Sequence, residues 1–234
     1  MTGEPGYDST VALSLAWASE ASGDRPGAWR LVRQMQHDAP EDWTGWWAGG
    51  VLALADGDAE EALEALSRAA RLNEHRVEIA VNIGIAQWLT GHPRDARRSL
   101  AHAASVSTGH VRATACLGVA HLVAGLDVEA ERTLSRAASA GGDSGVGSVG
   151  LGVMCARRKQ WPEAERCFLA VAPADGARRA ALANLAHLWR LRGMLDEASR
   201  CAREAARLEH WPEIPWEGWK LALAPVDRVV EEST

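Results

Sequence analysis

Residues 43–76 read WTGWWAGGVLALADGDAEEALEALSRAARLNEHR, and this stretch decides the fold. Its first part places Trp46, Gly49, Gly50 and Ala53 at i, i+3, i+4 and i+7, the spacing of one helix face. Gly57 follows, where a left-handed backbone ends that helix. The second part sets Ala62, Leu66, Ala69 and Ala70 on one face and Glu60, Glu61, Glu64 and Arg68 on the other. The stretch therefore predicts two helices joined by a tight turn.

The pattern extends in both directions. Ala28, Ala62, Ala96, Ala130, Ala164 and Ala198 are spaced by 34 residues, without an insertion. Thirteen residues upstream stand Leu15, Gly49, Ile83, Leu117, Leu151 and Leu185, followed directly by Ala16, Gly50, Gly84, Gly118, Gly152 and Ala186. A turn glycine recurs as Gly23, Gly57, Gly91, Gly125 and Gly193, with Lys159 in the remaining place. The small residues let neighbouring backbones approach, so that a bulky side chain from the adjacent helix packs over them. A large residue in place of Ala130 should overpack that contact, at roughly 1–3 kcal/mol.

This repeat resembles the tetratricopeptide repeat, a 34-residue unit with the signature W-x2-L-G-x2-Y…A-x3-F…P. Trp46 stands in the tryptophan place, Gly50, Gly84, Gly118 and Gly152 in the glycine place, Phe168 in the phenylalanine place and Pro40 in the terminal proline place. The tyrosine place holds Ser19, Ala53, Gln87, His121, Cys155 and Trp189, and most terminal prolines are replaced. The resemblance implies an all-α fold, a right-handed α-solenoid of antiparallel helix pairs. Six repeats are expected at 9–42, 43–76, 77–110, 111–144, 145–178 and 179–212. A capping helix is expected at 213–224, with Pro215 in its first turn and Trp216 and Trp219 over the open end. Residues 1–8 and 225–234 are expected to be disordered and flexible, respectively.

Composition agrees with helices. The 234 residues are 47% hydrophobic, rich in Ala and Leu, with eleven Trp but one Tyr and one Phe. No apolar run reaches the length of a membrane span, and Met1–Asp8 lacks the basic start of a secretory signal, so a cytoplasmic protein is expected. Arg-rich, Lys-poor composition suggests a bacterial, GC-rich origin. The net charge of −6 argues against general nucleic-acid binding. It is uneven: residues 1–74 carry −8 and residues 145–212 carry +4. Cys116, Cys155, Cys167 and Cys201 lack C-x-x-C spacing and read as small core residues rather than disulfides or metal ligands.

No catalytic constellation, metal motif or cofactor signature stands out. Residues 145–150, GVGSVG, match G-x-G-x-x-G but fall at the start of a repeat's first helix, where a dinucleotide motif needs a preceding strand. They read instead as a weak helix, making 141–152 the softest part of the solenoid. His187 has the register of the groove and His121 that of the core. Trp46, Trp161, Trp189, Trp211, Trp216 and Trp219 fit packing between helices or at the cap.

The resemblance implies a concave groove lined by the first helices. Trp17, Trp47 and Trp88 fall on that face, with Val51, Leu54, Val81, Ile85, Leu89 and Leu122 as an apolar floor. Asn82, Asn184 and His187 are its polar positions. Tight winding or self-association would instead bury this floor. A carboxylate clamp of the kind some such domains form needs groove lysines, and Lys159 and Lys220 are not placed there. The expected function is a protein-interaction adaptor or scaffold, not an enzyme, whose groove holds an apolar or amphipathic segment of a partner protein or peptide. Two alternatives are self-assembly, head to tail or as a dimer, through the acidic and basic ends, and a solenoid with a small-molecule site or atypical activity. No cofactor, nucleic acid or membrane insertion is expected.

Overall fold

The computed structural model describes residues 9–107, 109–140, 145–173 and 177–208. They form twelve helices and, among the described residues, no strand. The helices run in antiparallel pairs: α1 (Ser9–Ala21) with α2 (Arg25–Asp38), α3 (Trp43–Asp56) with α4 (Ala59–Leu72), and α5 (Val77–Leu89) with α6 (Pro93–Val106). Three further pairs follow: α7 (Val111–Val123) with α8 (Asp127–Ser139), α9 (Gly145–Arg157) with α10 (Trp161–Leu169), and α11 (Arg178–Leu191) with α12 (Leu195–Arg207). The expected capping helix, with Trp216 and Trp219, lies outside the described residues, as do the two chain ends.

One closure serves all six hairpins. The amides of Asp24, Asp58, His92, Leu126, Gln160 and Met194 donate to the carbonyls of Ser19, Ala53, Gln87, His121, Cys155 and Trp189, over 2.8–3.0 Å. The accepting residues are those of the tyrosine place. That place can vary in side chain because the turn uses its backbone. Between donor and acceptor the chain turns left-handed, at φ +85° for Gly57 and +59° for Lys159. Lys159 thus adopts a conformation that costs an L-residue about 1–2 kcal/mol, and the repeat tolerates it. Aspartates start the early second helices: Asp24 and Asp58 accept from the Gly27 and Glu61 amides at 2.9 Å.

The core lies between the two helices of each pair. A Cβ on Gly84 would meet Leu100 Cγ at 2.7 Å, and one on Gly118 would meet Leu134 Cγ at 2.7 Å. Gly50 stands likewise against Leu66, and Gly152 against the Phe168 ring. The bulky residue thus comes from the second helix, sixteen positions on, and only glycine lets it seat. Ala28, Ala62, Ala96, Ala130 and Ala164 are fully buried, and Ala198, in the last pair, is nearly so.

The glycine-rich stretch, expected to be a weak helix, is helical and closely packed. Gly145, Gly147, Gly150 and Gly152 all lie within α9 and are buried. A Cβ on Gly147 would meet the Ala138 backbone nitrogen at 2.7 Å, and one on Gly150 would meet Leu134 Cδ2 at 2.6 Å. These glycines are positions of close helix approach to α8, not of missing side chains. Residues 141–144 lie outside the described residues.

Candidate binding groove

The helices form two layers. Each odd-numbered helix touches the next odd one, α1 to α3 through α9 to α11, whereas no even pair makes comparable contact. The odd helices therefore form the crowded inner layer of the curve. This is the face on which the sequence places its candidate residues.

Its first half carries an aromatic cluster. Trp17 on α1 and Trp47 on α3 meet edge to face, with ring centroids 5.8 Å apart and planes at 81°. Trp43, one turn before Trp47, stands 6.1 Å from it, and the Arg76 guanidinium lies 4.9 Å from the Trp43 ring. All three indoles are half-buried, so each is held by packing yet stays partly exposed. Trp47 Nε1 is buried without a hydrogen-bond acceptor, a state that costs about 1–3 kcal/mol for a polar group.

The apolar surface continues along α5. Trp47, Ile85 and Leu89 rim the cluster built on Leu54, Leu66 and Ala86. Ile85 also joins Trp88 on the next cluster, built on Val81, Leu100 and Leu117. Ile85, Trp88 and Leu89 are each partly exposed.

Other expected floor residues are closed off. Val51, Leu54, Val81 and Leu122 are at most 4% exposed, because adjacent helices wind tightly over them. They present almost no surface. Asn82 and Asn184 are buried too. Asn184 Nδ2 donates to the Ala180 carbonyl in its own helix at 2.9 Å, while Asn82 Oδ1 has no partner. His187 is half-buried on α11, with its Nδ1 3.2 Å from the Arg190 guanidinium. It shares no ring contact or apolar cluster with the Trp17–Trp43–Trp47 group.

Trp43 and Arg76 were not among the expected site residues. The i, i+4 spacing of Trp43 and Trp47 was the available signal. Other tryptophans have packing roles: Trp46 Nε1 donates to the Pro40 carbonyl at 2.9 Å and its ring lies 4.2 Å from the Arg68 guanidinium. Trp189 Nε1 donates to Glu165 at 3.2 Å. His121, in the tyrosine place, has a pKa pushed below the ordinary histidine value by burial and by nearby Arg97.

No protein-family model matches the sequence, and no curated protein matches it. Solved structures do match, over most of the chain. A type IV pilus biogenesis factor, PilW, superposes with a TM-score of 0.66 at 17% identity, covering 88% of this chain and 96% of its own. PilF of Pseudomonas aeruginosa gives 0.63 at 14%, covering 91% and 96%. These neighbours are helical-repeat proteins of the tetratricopeptide type. This chain folds as a tetratricopeptide-repeat solenoid. The human IFIT1 dimer with m7Gppp-AAAA also shares the fold, with a TM-score of 0.70 at 14% identity over 88% of this chain and 51% of that one. At these identities the likeness speaks for the fold. No helix among the described residues is long and apolar enough to cross a membrane.

Proposed function

We propose that this solenoid is a protein-interaction adaptor that holds an apolar or amphipathic partner segment against Trp17, Trp43, Trp47, Ile85, Trp88 and Leu89. The observation that carries this reading is the half-buried aromatic cluster on the inner layer. Tryptophan is a frequent anchor because a large rigid ring gains much contact area at little entropic cost. A guest helix with apolar residues at i, i+4 and i+7 matches such a surface. Protein is favoured over nucleic acid as partner, because the chain is acidic overall and its first 74 residues carry −8. Binding is favoured over catalysis, because the surface between Trp17 and Trp88 is built from apolar side chains.

The test is affinity capture with wild type and a Trp47→Ala, Trp88→Ala variant, the fold checked by circular dichroism. The partner should be retained by wild type, lost by the folded variant, and held at high salt. Equal capture by the variant would remove the groove assignment.

A second reading is head-to-tail self-assembly. Val11 and Leu15, one turn apart on α1, are 54% and 53% exposed at the acidic end of the solenoid. An assembly joining that end to the +4 repeats would fall apart as salt rises, whereas apolar groove binding would persist.

A further inference from the structure

The inner layer changes sign along its length. Helices α1, α3 and α5 hold Glu20, Asp56 and Glu78 and no Arg or Lys. Helices α7, α9 and α11 hold Arg112, Arg157, Arg178, Arg179 and Arg190 and no Asp or Glu. Two of these arginines stand in registers that the groove uses for apolar contact. The Trp88 register of α5 holds Arg190 on α11, and the Leu89 register holds Arg157 on α9. The register of Trp17 likewise holds His187.

The cations of that end are not all neutralised. Arg178 is held by Glu204 at 3.4 Å, but Arg157 and Arg190 form no ion pair with a described carboxylate. Arg157 Nη1 donates to the Leu122 carbonyl at 3.0 Å, so its side chain reaches from α9 to the neighbouring inner helix α7. Burial pulls its pKa below the ordinary arginine value, and the opposing pull of Asp127 is smaller. Arg190 is exposed, with only the His187 ring nitrogen 3.2 Å away. At the other end the acids are engaged: Arg25 stands 3.1 Å from Glu20 and 3.4 Å from Asp56.

We propose, resting on the groove reading above, that the guest is a two-part protein segment: apolar anchors seated on Trp47 and Trp88, and acidic side chains beyond them that pair with Arg157 and Arg190. Charge complementarity carries this choice. A nucleic-acid strand is charged along its whole length and would lay phosphates over the acidic half of the layer. A segment acidic at one end only meets apolar surface first and arginine second. Neighbouring helix axes lie about 8–10 Å apart, so α9 is about 16–20 Å from α5 and α11 about 24–30 Å. For a guest helix rising 1.5 Å per residue, the acids then stand about 11–20 residues from the apolar anchors.

The probe is a fluorescent synthetic helix of about 25 residues, with Leu at i, i+4 and i+7 and a run of Glu about 12 residues further on. It is made in both chain orders, and its control carries Gln in place of the Glu run. By anisotropy at low salt, the full wild-type chain should bind one Glu peptide about tenfold tighter than its control, the advantage vanishing by about 0.5 M salt. Arg157→Gln with Arg190→Gln should bring that peptide down to the affinity of the control and leave the control unchanged. Arg190→Gln alone, at an exposed side chain, should lose about threefold, a readout that survives if the double variant unfolds. Arg98→Gln, on the outer layer, should change nothing. Equal binding of both peptides by wild type would overturn the acidic guest, as would a preference kept by the folded arginine variants or lost equally in Arg98→Gln. The groove would still stand if Trp47→Ala with Trp88→Ala weakens both peptides. Binding of neither peptide, or unchanged binding in the tryptophan variant, would remove the groove and the acidic guest together. A single-stranded oligonucleotide bound more tightly by the same arginines would overturn the proposal in favour of nucleic acid. A dimer that the arginine variants dissociate would overturn it in favour of a second copy.

Discussion

Helices α3 and α9 stand in the same register three repeats apart, with Gly45 matching Gly147 and Gly50 matching Gly152. Both use those glycines to seat against neighbouring helices. Above this shared base they differ. Where α3 carries Trp43 and Trp47, α9 carries Gly145 and Val149, both buried. The tryptophans stand partly clear of the packing and touch Trp17, whereas α9 offers no aromatic surface to the inner layer. Close approach is thus a property of the repeat, and binding surface is a property of particular repeats. The proposed groove belongs to the first three hairpins, where Trp17, Trp43, Trp47 and Trp88 stay partly exposed on the inner layer.

This comparison can be broken at the base. Gly147→Val should destabilise the protein by about 3 kcal/mol in urea unfolding, because the added atoms meet the Ala138 backbone, which cannot rotate away. Helix propensity alone predicts the opposite, since Val is a better helix former than Gly. A stabilised variant would mean that α9 is merely a weak helix and that its likeness to α3 fails. It can also be sharpened at the surface. Trp43→Ala should cost about 1 kcal/mol of stability or less, since the ring is half-buried, yet weaken partner capture about tenfold or more. Val149→Ala should do the reverse, lowering stability and leaving capture unchanged.

Smaller effects are expected at the turns. Lys159→Gly should stabilise by about 1 kcal/mol, removing the left-handed strain less the added chain entropy of glycine. Gly57→Ala should lose a similar amount. Thermal melts of both variants would show whether the six closures are equivalent. The smallest effect concerns His121. Its folded pKa is depressed, so below the ordinary value of 6.5 the unfolded chain takes up a proton that the folded chain resists. Stability is therefore retained above that pH and lost as pH falls below it. The melting-temperature gap between wild type and His121→Gln should shift against wild type between pH 7 and pH 5.

Much of this was legible in the sequence. The 34-residue spacing of Ala28 to Ala198 gave the hairpins, and the place of Lys159 in the glycine series matches its left-handed turn. Periodicity reports which face a residue occupies, but not how closely the next helix covers it. Val51, Leu54, Val81 and Leu122 share a face with Trp47, yet they are closed over by neighbours whose distance depends on paired side chains. In the glycine run of α9 a weak-helix reading and a close-packing reading share one sequence. They part only when Ala138 and Leu134 are seen against it.

The most direct measurement is site-specific photo-crosslinking from the two layers. A photoreactive residue would replace Trp88 on the inner layer or Arg98, which is exposed on α6 of the outer layer. The inner probe should label one segment of a partner protein, with apolar residues at helical spacing, and the outer probe should not. Labelling of that segment from position 98 as efficiently as from position 88 would contradict the groove.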